Sequence, residues 1–343
     1  MKGLRRLLTP ISWLYGASIK LHQCLYTWNI LKSKQYNQAI INVGNLSLGG
    51  TGKSPMVVYL YQQLHQINKT AVISRGYGRS SKGLLQVSQD STVEAVGDEA
   101  LQFKKKFPNS LFFVSEKRSL AIEAALNQSC TLVILDDALQ HHALKTHYNI
   151  LLTAYEVPFF KDSLLPVGRL RDHKSNYKKA QLIVVTNCPQ TLSLEQKKAF
   201  EEQLNLGVGQ QLFFSSIQYR PLYPLFGTES ARNLQSFRDQ AILLLSGIAQ
   251  PDSLSKYLKS QVEDCTLLTF NDHQHYRRKE LGQILEAAEG KTIITTEKDA
   301  VKLALFPAQF TAKNIAVWVL PINVKFLLFF TKFFFLSSFG PHT

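Results

Sequence analysis

The run Ala39-Ile40-Ile41-Asn42-Val43 leads into Gly49-Gly50-Thr51-Gly52-Lys53-Ser54, and no other stretch of the 343 residues constrains the fold as tightly. The β-branched run predicts a buried strand, the glycines a tight turn, and the residues from about Ser54 to Gln66 a helix. Backbone N–H groups in such a turn, with a helix N-terminus behind them, cradle phosphate oxygens. Lys53 is then placed to reach the β and γ phosphates of a nucleotide, and the Ser54 hydroxyl to hold Mg2+. The strict form of this motif has a glycine five residues before Gly52, where this chain has Ser47. The assignment therefore rests on the strand-turn-helix context and on the neighbouring glycines.

Further apolar runs follow in a strand and helix rhythm. Strands are expected at 70–74, 111–114, 131–135, 149–153 and 182–186, with a helix at 119–127. Near-continuous aliphatic strands separated by helical patterns imply a parallel sheet covered on both faces. After the Pro-containing stretch Tyr219 to Pro224 the rhythm restarts, with strands at 241–246, 292–296 and 316–320 and a helix at 252–259. The expected fold is α/β, with a nucleotide-binding parallel sheet flanked by helices, a smaller C-terminal α/β lobe and an N-terminal amphipathic helix. The expected division is 1–34, 35–220 and 221–343, the alternative being that the stretch at 219–224 is a crossover within one sheet.

Composition removes several alternatives. The four cysteines lie far apart, which argues against a disulfide framework or a zinc site. The formal charge of +14 suits an anionic partner, whether nucleic acid, membrane or phosphorylated substrate. No basic run interleaved with aromatics offers a platform for nucleic acid, so none is expected as a partner. At the N-terminus Leu7, Ile11, Leu14, Ser18, Leu21, Leu25 and Trp28 recur at helical spacing behind basic residues. Such a helix either lies on an anionic membrane or packs on the protein's own core. The apolar stretch 326–335 is about half the length of a spanning helix and is expected to be buried as a last element.

The remaining candidates are charged residues at strand ends and in loops. Asp136-Asp137 closes an apolar strand, the position from which a carboxylate binds the nucleotide's metal. Asp98, after Gly97, is either a first-turn acidic residue or a general base for an attacking hydroxyl. Asp272-His273-Gln274-His275 sets carboxylate beside imidazole, a pattern suited to proton relay. Arg75, Tyr77 and Arg79 share a glycine-permitted loop after a strand, and arginine forks bind phosphate bidentately. Arg118, Arg169 and Arg171 are further candidate anion contacts.

Taken together and in order, these segments resemble the tetraacyldisaccharide 4′-kinase family, the lipid A kinases of Gram-negative bacteria. The match runs from about residue 10 to 325 and includes Gln140-His141, Leu164 to Arg171, Tyr276 and Thr295 to Lys302. The resemblance implies transfer of the ATP γ-phosphate to the 4′-hydroxyl of a tetraacylated disaccharide 1-phosphate. It also implies a chain held peripherally on the cytoplasmic face of the inner membrane through its N-terminal helix; a monomer is expected. ATP and Mg2+ are the implied cofactors. The family's catalytic Asp and His fall on Asp98 and His273, with Asp98 as base and His273 orienting it or raising its basicity. Phosphate and metal roles fall on Lys53, Ser54, Asp136 and Asp137, and substrate contacts on Arg75, Tyr77, Arg79, Arg118, Gln140, His141 and Arg171. The chain departs from the family pattern at Ala138-Leu139, at Arg169 and at Asp172.

Two other classes make different demands on the sequence. A nucleotide switch or metallochaperone would carry a metal cluster or a guanine-reading N/T-K-x-D, and Thr296-Glu297-Lys298-Asp299 has Glu in the Asn position. A nucleic-acid-stimulated ATPase is suggested by charge alone.

Overall fold

The computed structural model describes residues 7–327. The expectation for 326–335 therefore falls almost wholly outside the described residues.

Among the described residues, fourteen strands build two sheets. The larger contains β1 (Ala39–Asn45), β2 (Thr70–Ser74), β3 (Leu85–Gln86), β4 (Leu111–Val114), β5 (Leu132–Asp136), β6 (Tyr148–Ala154), β7 (Leu182–Thr186), β8 (Gln211–Tyr219) and β14 (Ile322–Phe326). Their order is β14-β8-β7-β6-β1-β5-β2-β4-β3. All neighbours are parallel except the two outermost pairs, β14 on β8 and β3 on β4. The aliphatic runs that define β1, β5 and β7 are buried on both faces, as a parallel sheet between helix layers requires. On one face Val43, Val72 and Ile134 pack with Met56 and Leu60 of the helix Lys53–Leu64 and with Leu101 of the helix Asp98–Lys106. On the other, Ile40, Ile73 and Val133 pack with Ala121 and Ile122 of the helix Arg118–Asn127.

The smaller sheet contains β9 (Tyr223–Pro224), β10 (Ala241–Ser246), β11 (Asp264–Thr269), β12 (Thr292–Thr296) and β13 (Val317–Leu320), in the order β11-β10-β12-β13-β9. Its core joins Leu244, Ile294 and Trp318 on one face and Leu245, Ile293 and Phe310 on the other. The chain leaves the large sheet after Tyr219 and comes back into it. Ile322 of β14 pairs with Tyr219 of β8 in antiparallel register. Residues 322–326 thus belong to the large sheet and not, as expected from the sequence, to the C-terminal lobe. The rhythm of alternating strands and helices carries no mark of such a return, because β13 and β14 are separated only by Pro321.

The N-terminal helix Thr9–Thr27 docks by its polar and small residues. Ser12 Oγ donates to the Leu164 carbonyl (3.1 Å), Tyr15 OH to the Arg171 carbonyl (3.2 Å) and Gln23 Nε2 to Asp172 Oδ1 (2.8 Å). Gly16 is required by close approach, since a Cβ there would meet Leu164 Cδ1 at 2.9 Å. The apolar stripe faces outward: Leu7, Trp13 and Leu14 are each 73–75% exposed, and Ile11, Leu21 and Trp28 are exposed as well. Of the two readings of this helix, packing of its apolar face on the protein's own core is not seen among the described residues, where Leu25 alone of the stripe's leucines is half-buried. Among the described residues no helix is long and apolar enough to cross a membrane.

Candidate active site

The carboxyl ends of β1 and β5 lie side by side, with Val43 opposite Asp136 in register. That pairing brings the glycine turn and the acidic strand end to one point. The turn itself is held from three sides. Asn45 Nδ2 donates to Thr51 Oγ1 (2.7 Å), Thr186 Oγ1 from the end of β7 donates to the Thr51 carbonyl (2.9 Å), and Lys53 Nζ lies 3.4 Å from Asn45 Oδ1. Gly49 and Gly52 have φ of +103° and +76°, a region that disfavours any side chain.

Asp136 is buried, and its Oδ1 has no hydrogen-bond partner. Burial, together with the neighbouring Glu99 and Asp137 charges, pushes its carboxyl up to about 7. A divalent cation supplies both things this carboxylate lacks, a partner and a compensating charge. Ser54 Oγ, the other expected ligand, donates to Glu99 Oε1 at 2.8 Å. Among the described residues no three His, Cys, Asp or Glu groups form a metal cage. Magnesium suits such a sparse set, because it keeps most of its shell as water and phosphate oxygen. Asp137 is differently occupied. Burial alone would raise its carboxyl, but the Arg171 fork and Lys53, 3.9 Å away, hold it below the usual carboxylate range. It serves as the counter-ion of Arg171 and Lys53, and an ion pair of that kind leaves less of it for a metal.

A cleft of about 880 Å³ opens over this point and continues between the two sheets. It gathers Lys53, Ser54, Asp136 and Asp137 with Arg75, Tyr77, Arg118, Gln140, His141, Arg171 and His273. Arg118 is buried, with Nη1 donating to the Ser115 carbonyl and Nε unpartnered. Gln140 Nε2 donates to the Asn45 carbonyl at 3.0 Å. Burial and the charges of Arg118 and Arg75 lower the His141 imidazole, which keeps it neutral near pH 7. Arg79 is the exception among the expected contacts. Its guanidinium turns inward, to Glu116 and the Gly83 carbonyl, both at 2.6 Å, and ties down its own loop. The loop's tight turn leaves Arg75 and Tyr77 facing the cleft and Arg79 behind them.

Asp98 and His273 come from different sheets and meet. Asp98 opens the helix Asp98–Lys106 of the large-sheet unit, and His273 stands in the loop after β11 with φ of +60°. His273 Nδ1 and Asp98 Oδ1 are 2.9 Å apart, and the Glu99 N–H also donates to that oxygen. Asp98 is 3% exposed and its Oδ2 has no hydrogen-bond partner. Burial would raise its carboxyl, but the His273 hydrogen bond and the Lys298 charge bring it below the usual value. Burial would lower His273, but Asp98 raises it above the usual value. The cleft is lined by His273, whose ring packs 4.8 Å from that of Tyr77, and Asp98 lies beneath. The cover over Asp98 is thus made by side chains of the opposite sheet.

Sequence reasoning assigned no role to Asn45, Glu99 or Lys298. Asn45 binds Thr51, Arg171 and Lys53 at once. Its position directly before the turn was the available signal. Glu99 was visible only as a first-turn acidic residue, and Lys298 only as part of Thr295 to Lys302.

A family model, LpxK: tetraacyldisaccharide-1-P 4′-kinase, matches residues 4–334. The tetraacyldisaccharide 4′-kinase of Phocaeicola vulgatus is 37% identical over 334 residues, covering 94% of this chain and 91% of its own. That of Flavobacterium psychrophilum is 40% identical over 308 residues, covering 89% of each chain. Among solved structures, the crystal structure of "apo" form LpxK from Aquifex aeolicus in complex with ATP superposes with a TM-score of 0.73. It is 30% identical, and the match covers 94% of this chain and 95% of that one.

Proposed function

This chain belongs to the tetraacyldisaccharide-1-P 4′-kinase family, and from that premise we propose that it transfers the γ-phosphate of ATP to the 4′-hydroxyl of a tetraacyldisaccharide 1-phosphate in lipid A biosynthesis. The observation that carries this reading is the joining of a nucleotide-phosphate turn and a buried Asp98–His273 pair along one cleft.

Phosphoryl transfer asks a protein chiefly for positioning and for charge at the transferring group. Lys53 and the N–H groups from Gly50 to Ser54 hold the β and γ phosphates, with Arg118 adding charge at the reacting end. Ser54 and Asp136 would hold Mg2+, with Asp137 behind them, and the ion would neutralise phosphate charge as it develops. Arg75, Tyr77, Gln140, His141 and Arg171 face the acceptor. The Asp98–His273 pair accepts the hydroxyl proton as a coupled unit, with the negative charge on Asp98 and the imidazole toward the cleft. Asp98 Oδ2, free of hydrogen bonds, is the carboxylate atom of the pair left to take that proton.

The exposed apolar stripe of the N-terminal helix supports a peripheral seat on the inner membrane, facing the cytoplasm, where a lipid acceptor is presented. The test is a turnover assay with purified protein, Mg-ATP and the tetraacyldisaccharide 1-phosphate, read by lipid chromatography. The expected product is a bis-phosphorylated lipid. Failure to form it while ATP binds overturns the assignment.

A further inference from the structure

Lys298 sits in the first turn of the helix Glu297–Leu303, just behind the N-cap Thr296. A cation there opposes the helix dipole, so the residue does not serve its own helix. Its partners lie elsewhere. Nζ donates to Asp272 Oδ1 (2.8 Å) and lies 3.2 Å from His273 Nε2, on the loop of its own sheet. Across the cleft it lies 3.6 Å from Glu99 Oε1 and 3.8 Å from Asp98 Oδ2. Its side chain is only 12% exposed. One ammonium thus spans three carboxylates and the outer nitrogen of the imidazole, and its reach covers both sheets.

We infer that Lys298 is a positioning residue for phosphoryl transfer, one that orients His273 from its cleft side and fixes the charge state of the Asp98–His273 pair across the two lobes. The inference rests on the reading of that pair as the proton acceptor. Asp98 holds His273 by Nδ1 only, and a ring held at one nitrogen keeps freedom about that bond. Lys298 and Asp272 restrict the other nitrogen. The charged and titratable groups facing Asp98 are His273, Lys298 and, more distantly, Lys302, with Glu99 beside it and Tyr276 nearby. Those facing His273 are Asp98, Lys298 and Asp272, with the Tyr77 ring packed 4.8 Å from the imidazole. Removing the ammonium leaves both members of the pair easier to protonate, because a neighbouring cation disfavours the bound proton at each. The alternative is that Lys298 only binds the lobes together, in company with Lys106 and Glu297, which pair at 2.8 Å.

The two roles separate in the pH dependence of turnover. Lys298→Met, Lys298→Arg and Asp98→Asn are compared with the full-length protein in the lipid kinase assay, after thermal melts establish that each is folded. Lys298→Met is expected to lower kcat up to about 10²-fold. It should also move the acidic limb of the kcat profile up by about one pH unit, with KM for ATP changed by less than about twofold. Lys298→Arg, which keeps the charge, is expected to leave the limb in place even if the rate falls. A Lys298→Met limb that stays at the wild-type position, or an equal shift in Lys298→Arg, overturns the inference and leaves Lys298 as a lobe tie. Should Lys298→Met fail to fold, Lys298→Gln takes its place against the same criterion. Wild-type turnover in Asp98→Asn would instead remove the underlying reading of the pair.

Discussion

Asp98→Asn is the substitution whose consequence the geometry defines best. Asparagine has the shape of aspartate, so Oδ1 still accepts from the Glu99 N–H and from His273 Nδ1, both at 2.9 Å in the wild type. The charge is lost, and with it the atom that can take a proton. General-base removal costs about 10²–10⁴-fold, which is about 2.7–5.4 kcal/mol of transition-state free energy. The upper part of that range is expected here, because His273 loses its raised proton affinity at the same time. ATP binding should not follow. Asp98 touches His273 and the Glu99 N–H, with Lys298 within ion-pair distance, and none of the turn residues from Gly49 to Ser54. The assay pairs single-turnover phosphorylation of the lipid with ATP titration by calorimetry. Loss of ATP affinity in step with loss of rate would show that Asp98 caps its helix and has no part in proton transfer. Turnover within about threefold of wild type would refute the base outright.

The His273–Asp98 pair also predicts a pH dependence of stability. His273 is raised above 6.5, so its contribution is complete below that value and is lost as pH rises through the raised one. Asp98 is lowered below 3.8, so its contribution is complete above that value and is lost as pH falls through the depressed one. The difference in denaturation midpoint between wild type and His273→Gln should therefore be largest near pH 5–6 and shrink above neutrality. Asp299 is fully buried and takes Lys302 (2.7 Å), Tyr276 (2.8 Å) and the Gly247 N–H (2.8 Å), so Asp299→Ala should cost the smaller lobe about 3–5 kcal/mol in urea unfolding. Gly52→Ala forces a side chain into a φ of +76° and should cost about 1–2 kcal/mol of stability, with weaker ATP binding in the same titration. Leu14→Glu on the exposed stripe should reduce sedimentation with anionic vesicles while leaving stability within about 0.5 kcal/mol.

The parallel sheet was legible because burial on both faces leaves a strong mark. β1, β5 and β7 are aliphatic runs that no surface strand could afford, and each was placed within a residue or two. β11 was missed because most of its side chains are half or fully exposed, so it lacks that mark. β14 was misassigned for a different reason. Its place in the large sheet is set by pairing with β8, about a hundred residues earlier, and a periodicity confined to a short window carries no long-range partner.

The N-terminal helix shows how far a correct pattern can be from a correct contact. Its apolar spacing was plain, and an apolar face ordinarily packs inward. Here docking falls to Ser12 and Tyr15, which donate to the Leu164 and Arg171 carbonyls, to Gln23, which donates to Asp172, and to Gly16, whose carbonyl lies 2.8 Å from His173 Nε2. The same segment carries Arg171, and Arg171 pairs with Asp137 beside Lys53 of the phosphate turn. The face left to solvent and the phosphate turn are therefore joined by one short chain of contacts. The same logic governs the Asp98–His273 pair, whose halves lie 175 residues apart, one on a helix of the large-sheet unit and one in a loop of the smaller. Each half alone is an ordinary surface motif, an acidic helix start and a histidine loop. Their chemistry exists only where the lobes meet, so any substitution that loosens the lobes should reduce turnover before it reduces ATP binding.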